Sequence, residues 1–289
     1  MVRRWLVTGC SSGLGKALAI AAARAGDRLV VTARQPAALA ELAEAWPDNI
    51  IPVALDIRDE HQCQDAVAAA IEHLGGIDVL VNNAGGGLFG AVEEICDDEL
   101  RDQLETLIVA PWRLTRLVLP VMRGQGAGHI INVSSVAGRM AVPGLAAYVS
   151  GKHALEGMSQ ALATEVEPLG LRVTVLEPGG YATRYGTVLA EARTRLPAYA
   201  PVAEALGMFR GMEENPMLGR PDDFAEAVLA LVAAEGPTPL RVPIGPGAHE
   251  MLGPAQQAAL DELTAAGALI KLLSEAGSSQ TPEAQAIDA

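Results

Sequence analysis

"TGCSSGLG", residues 8–15, is the stretch whose reading decides the fold. An apolar run over 4–8 leads straight into it and a helical apolar period over 13–25 leaves it, so glycines 9, 13 and 15 stand where a strand becomes a helix. Glycine lets the backbone turn tightly and lets phosphates approach the main chain, while the helix N-terminus offers free N–H donors and the positive end of its dipole. A dinucleotide pyrophosphate fits such a junction. A plain tight turn fits it too, and the spacing, with three residues between the first two glycines, departs from G-x-G-x-x-G.

Outward from this junction, short runs rich in Val, Ile and Leu alternate with longer amphipathic segments, without internal repeat. Strands are expected at 4–8, 28–33, 50–55, 77–82, 128–134, 171–176 and 240–244, and helices at 13–25, 59–74, 97–123, 146–168 and 221–235. Continuous apolar strands joined by helical crossovers imply a parallel sheet covered on both faces: an α/β, doubly wound, Rossmann-type domain of about seven strands spanning residues 1–250. Two stretches break the rhythm. Residues 181–220 carry Tyr181, Tyr185, Tyr199, Met208, Phe209, Met212 and Met217 among Gly and Pro, too long for an ordinary connection and read as a substrate lid. Beyond the domain, 251–275 is a helical extension, with its helical period over 254–275, and "AGSSQTPEAQAIDA", 276–289, is a polar tail expected to be disordered.

Composition narrows the function. The 289 residues are 50% hydrophobic and 19% charged, enough to bury a large core, and the formal charge of −14 with no Lys/Arg cluster speaks against nucleic acid as a partner. The first strand begins by Trp5, leaving no room for a signal peptide, and no apolar run approaches the ~20 residues of a membrane span, so a cytoplasmic protein is expected. Cys10, Cys63 and Cys96 are odd in number and far apart, which suits neither disulfides nor zinc; they are expected to be buried free thiols. His61, His73, His129, His153 and His249 form no metal-ligand spacing, and no metal is expected.

At the end of the second strand, Ala33 and Arg34 stand about 20 residues after the glycines, where this kind of fold meets the adenosine ribose. No acid is there to accept from a ribose hydroxyl. An arginine can grip a 2′-phosphate bidentately, which favours NADP over NAD, though a solvated surface arginine reads equally well. Asp56, ending the third strand, is placed either for the adenine amine or as a helix cap ahead of "RDEHQCQDA". "NNAG", 82–85, and "NVSSVAG", 132–138, follow the fourth and fifth strands at the carboxyl edge where ligands of open α/β sheets bind. In "AAYVSGKHAL", 146–155, Tyr148 and Lys152 share a helix face, with Ser135 close enough in sequence to converge on them. Each of these parts alone arises by chance; their order, each at the carboxyl end of its strand, does not.

Together the motifs TGxxxGxG, NNAG, a serine 13 residues before the tyrosine, YxxxK and "EPGG" resemble the short-chain dehydrogenase/reductase family over roughly residues 1–250. The resemblance implies that Tyr148 is the general acid or base, Ser135 the hydrogen-bond partner of the substrate carbonyl, and Lys152 the residue that holds the nicotinamide ribose and lowers the tyrosine's pKa. It assigns cofactor contacts to Gly9, Ser11, Ser12, Gly13, Leu14 and Gly15, to Arg34 as the NADP-reading position, to Asp56 and Ile57, to Asn83 and Ala84, and to Tyr181 and Thr183, beside Tyr148 and Lys152. It implies a homodimer or homotetramer. The expected activity is interconversion of a ketone and a secondary alcohol on a hydrophobic small molecule, cyclic ones included, with NADP(H). The alternatives are an NADP-sensing binding protein and an epimerase or dehydratase that uses the cofactor transiently.

One position departs from the family. Where the family carries an asparagine, in a sequence resembling E-x-N-V-x-G, that helps hold a proton-relaying water, this chain reads "ETLIVAP" with Leu107. No asparagine occurs between 84 and 131, so no shift of register restores it. Another group then supplies the relay, Thr106 being a neighbour expected to face elsewhere, or proton exchange is slower, or the reaction does not need it.

Overall fold

The structure is a computed structural model that describes residues 2–210 and 214–278. In chain order the main elements are β1 (Arg4–Val7), α1 (Gly13–Arg24), β2 (Arg28–Ala33), α2 (Ala40–Ala45), β3 (Ile50–Ala54), α3 (Glu60–Leu74), β4 (Val79–Asn82) and β5 (Leu88–Phe89). There follow α4 (Asp97–Leu104), α5 (Ala110–Gln125), β6 (Gly128–Val133), α6 (Ala146–Val166), β7 (Leu171–Pro178), α7 (Tyr185–Val188), β8 (Ala190–Glu191), α8 (Ala200–Glu204), α9 (Pro221–Ala233), β9 (Arg241–Ile244) and α10 (Ala248–Ser278). Contacts divide the chain into two compact units, Met1–His249 and Glu250–Ala289.

Seven strands form one parallel sheet in the order β3-β2-β1-β4-β6-β7-β9. Strand alternation sends Trp5 and Val7 to one face and Leu6 to the other, which is why every central strand reads as continuously apolar. One face packs Trp5, Val7, Leu29 and Val31 with Leu18 of α1 and Phe224 and Val228 of α9. The other packs Leu6, Val30 and Leu80 with Val67 of α3, Leu114 and Val118 of α5, and Leu162 of α6. The strand order reverses between β1 and β4, and at such a switch the loops after the strands diverge and leave a crevice.

All seven expected strands and five expected helices are present, with two refinements. The stretch 97–123 is not one uniform helix: a π turn over Glu105–Val109 separates α4 from α5. Residues 36–45, between β2 and β3, carry a 3₁₀ turn and α2 that periodicity did not mark. The helical extension is α10, which takes in 276–278 of the expected tail; 279–289 lie outside the described residues. The cysteines are free, but only Cys10 and Cys63 are buried; Cys96 is exposed just before α4. Among the described residues no helix is long and apolar enough to cross a membrane.

Candidate active site

The first loop is shaped by its glycines. Gly9 and Gly13 adopt positive φ, 74° and 58°, and a side chain on Gly9 would come within 2.8 Å of the Ala84 backbone. At Gly15 it would collide with the Gly9 carbonyl and the Asn83 amide, so α1 can begin only this close to the loop. Ser12 caps α1 by backbone alone, with no side-chain hydrogen bond and no acid in the first turn, which leaves the positive helix end facing the crevice.

The "NNAG" loop is clamped to this turn. Thr8 Oγ1 accepts from the Asn83 and Ala84 N–H groups at 3.0 and 2.9 Å, and Asn83 Nδ2 donates to the Thr8 carbonyl at 2.8 Å. The Asn83 side chain is thus spent on the protein itself. Asn82 donates to Asn132 at 2.8 Å, and Asn132 to Ser159 on α6 at 2.8 Å, so one buried amide chain ties β4 to β6 and to the helix of Tyr148.

These loops bound a cleft of about 740 Å³, the size of a cofactor site. Gly9, Ser11, Ser12, Gly13, Leu14 and Gly15 line its middle; Ala33, Arg34, Asp56 and Ile57 line one end; Asn83, Ala84 and Thr183 line the way to the other. Tyr181 does not line it. Its ring is buried in the core, edge-on to Phe224 at 5.6 Å and seated against Gly219 and Gly245. Asp56 does not cap α3; Asp59 does, accepting from the His61 and Gln62 N–H groups. Asp56 instead pairs with Arg58, Nη2 to Oδ2 at 2.8 Å, and that guanidinium holds its carboxyl below the usual range. Arg58 therefore stands beside Arg34 as a second cation at this end, which sequence reasoning missed; its only signal was its place two residues after Asp56.

Ser135, Tyr148 and Lys152 do not line this cleft; they converge behind Tyr185, which does. Ser135 follows β6, accepts from the Ala137 N–H at 3.1 Å, and hydrogen-bonds the Tyr148 hydroxyl. Lys152, one helical turn beyond Tyr148, is buried; Nζ donates to the Val133 carbonyl at 2.7 Å and lies 5.6 Å from the Tyr148 ring centre. Burial lowers the lysine's pKa to about 8, opposed by Glu156. Tyr148 differs from expectation. Its pKa is raised, because burial outweighs the favourable contacts of Ser135 and Tyr185, and the lysine amine is turned to a carbonyl of β6.

The segment 181–220 covers this end. Its β8 pairs with β5 in parallel, Ala190 opposite Leu88 and Glu191 opposite Phe89. Arg195 pairs with the buried Glu94 at 3.2 Å and Arg193 with Glu99 at 3.2 Å, pinning the segment to the chain after "NNAG". Its Leu189, Val202, Leu206 and Phe209 pack with Phe89, Leu145, Tyr148 and Leu107 into one apolar cluster. The sequence placed Tyr185 only among the aromatics of this segment; the structure sets it against Tyr148, ring centres 5.9 Å apart. Leu107 is almost fully buried in the π turn, between the backbones of Gly85 and Gly151, either of which would crowd it if given a side chain. Thr106 does border the cleft, but its hydroxyl donates to the Asp102 carbonyl at 2.9 Å.

Comparison with known proteins agrees with this geometry. The family described as short chain dehydrogenase matches residues 3–194. The oxidoreductase BOA17 of Botryotinia fuckeliana is 40% identical over 258 residues, 89% of this chain and 94% of its own. A crystal structure of a short-chain dehydrogenase from Streptomyces avermitilis superposes with a TM-score of 0.84 at 38% identity, covering 93% of this chain and 98% of that one. A short chain dehydrogenase/reductase from Burkholderia phymatum, solved in complex with NAD, superposes at 0.72 with 26% identity over 80% of this chain and 86% of that one.

Proposed function

The chain belongs to the short-chain dehydrogenase/reductase family and is an oxidoreductase, and we propose that it is an NADP(H)-dependent ketoreductase that interconverts a ketone and a secondary alcohol on a hydrophobic small molecule, cyclic ones included. The observation that carries the reading is the buried Tyr148 hydroxyl, hydrogen-bonded to Ser135 and roofed by an apolar cluster at the carboxyl edge of the sheet.

The cleft suits a dinucleotide. The positive-φ glycines and the Gly15 contact let a diphosphate come down on the backbone at the start of α1, where N–H groups lack partners and no acid repels it. Gly9 to Gly15 would hold the diphosphate, Asp56 and Ile57 the adenine side, Asn83, Ala84 and Thr183 the way to the nicotinamide, with Tyr181 contributing main chain only. Arg34 is exposed and follows the small Ala33, no acid ends β2, and the nearby Asp56 carboxylate is paired with Arg58, which supports a 2′-phosphate beside Arg34; Arg58 adds charge from the same side. When bound, the nicotinamide supplies or takes up the hydride.

The chain's own residues do the rest. Ser135 and Tyr148 aim two hydroxyls at one substrate oxygen, and Tyr148 gives its proton to that oxygen in reduction or takes it back in oxidation. A phenol whose pKa is raised by burial is protonated at neutral pH, the form reduction needs. Lys152, fixed by the Val133 carbonyl, holds its ammonium over the tyrosine ring and positions the ribose side of the site. Exposed Val109 and Trp112, at the π turn and the start of α5, support a homodimer or homotetramer, and three free cysteines suit a cytoplasmic location.

The test is a fluorescence titration with NADPH and NADH followed by a ketone screen read by NADPH absorbance. NADPH should bind roughly tenfold or more tightly, and Arg34→Ala should erase the difference. Equal binding of the two cofactors overturns the NADP assignment, and cofactor binding without turnover on any ketone favours the sensor.

A further inference from the structure

Tyr185 stands at the catalytic end and takes no part in the proton transfer. It opens α7, on the segment that covers the site, with its ring inclined 59° to that of Tyr148 and its hydroxyl facing the Tyr148 hydroxyl. That hydroxyl is buried, and apart from the Tyr148 hydroxyl that it faces it meets no hydrogen-bond partner. The seat is fitted to the ring: a side chain on Gly87 would collide with the Tyr185 oxygen and approach Leu189, and one on Gly186 would strike the Phe209 carbonyl. The β5–β8 ladder and the Arg195 pair with Glu94 hold the flanking chain in place. Buried hydroxyls are almost always satisfied, and one whose only polar neighbour is the hydroxyl that must turn to the substrate is left with its proton for an acceptor that the ligand brings.

Ser135 and Tyr148 together take one substrate oxygen. Tyr185 presents a second donor beside them, so the acceptor it meets stands close to the reacting carbonyl. The surrounding cluster of Phe89, Leu145, Leu189, Leu206 and Phe209 offers that acceptor no other donor. Tyr185 itself titrates far above the ordinary phenol, held there by burial and by Tyr148, so it acts as a donor and does not compete as a base. Two donors side by side match two oxygens that can lie side by side. The two oxygens of a β-oxygenated ketone can do this, whereas vicinal carbonyls hold theirs opposed.

Building on the ketoreductase reading, we infer that Tyr185 is a specificity residue that donates a hydrogen bond to a second oxygen of the substrate, and that the preferred substrates are β-oxygenated ketones on an apolar frame. The probes are ethyl butyrylacetate and propyl pentyl ketone, which match in chain length and differ in the ester oxygens. With NADPH, kcat/KM is measured for both on wild type and on Tyr185→Phe, which keeps the ring and removes the hydroxyl. Comparing the keto ester/ketone ratio between wild type and variant cancels the intrinsic reactivity of the keto ester. The ratio should fall about tenfold or more in Tyr185→Phe, and the change should appear in KM as well as kcat. A merely structural tyrosine would lower both substrates together and leave the ratio unmoved, which overturns the inference. So does a variant that speeds both alike, since the ring would then be a plug that any substrate displaces. Failure of the wild type to reduce either ketone while binding NADPH overturns the ketoreductase reading itself and this inference with it.

Discussion

Leu107→Asn tests the position where the resemblance led to an expectation of asparagine. Leu107 is about 1% exposed, in a π turn packed on Gly85 and on Gly151, the residue before Lys152. Gly151 fits this leucine closely, since any side chain there would come within 2.9 Å of Leu107 carbons. Asparagine would lose the burial of a leucine side chain, about 1.5–3 kcal/mol, and would strand an amide in an apolar cluster for about 1–3 kcal/mol more. The sum, about 2.5–6 kcal/mol, corresponds to a fall in Tm on the order of 10 °C for a domain of this size. If the helix is packed around the leucine, the variant should be less stable and no faster. The assay is a thermal melt together with kcat in light and heavy water for wild type and variant. A wild-type solvent isotope effect near unity fits a reaction that does not wait for a proton relay. If the variant melts within a few degrees of wild type, turns over faster and loses a sizeable isotope effect, the packing argument is wrong and a relay was missing.

Two further outcomes are expected. Tyr148→Phe should lower turnover on the order of a hundredfold or more while cofactor titration changes little, because the ring stays and only the proton is lost; near wild-type turnover would mean another group protonates the product. His129 is buried, with Nε2 2.9 Å from the Thr174 hydroxyl, and burial lowers its pKa from 6.5 to about 3. The folded state keeps it neutral while the unfolded chain takes a proton below pH 6.5, so its contribution to stability is full above that value and is lost as pH falls toward 3. By two pH units below 6.5 the loss is roughly 2–3 kcal/mol, and His129→Gln should flatten the stability–pH curve over this range; an unchanged slope in denaturant titrations would show that His129 does not carry it.

What the sequence by itself determined is the part of the molecule that obeys local rules. Parallel strands buried on both faces must be continuously apolar, so all seven could be read directly, and glycines forced by positive φ at 9 and 13 marked the turn beneath the crevice. Tyr148 and Lys152 stand one helical turn apart and Ser135 follows a strand, so their meeting was legible from spacing. The tertiary structure decided what depends on where a side chain points and what lies above it. It set Tyr185, from a segment remote in sequence, against Tyr148, and turned the Tyr181 ring into the core beside Phe224. It gave Asp56 to Arg58 and the helix cap to Asp59. It fitted Leu107 to the bare backbone of Gly151. And it aimed the Lys152 amine at the Val133 carbonyl, so that Tyr148 is governed by its burial rather than by the nearby charge. Spacing along a helix determines which residues can be neighbours, but burial and the direction of a polar atom come from packing among distant segments, and these set a site's protonation and the chemistry it can reach.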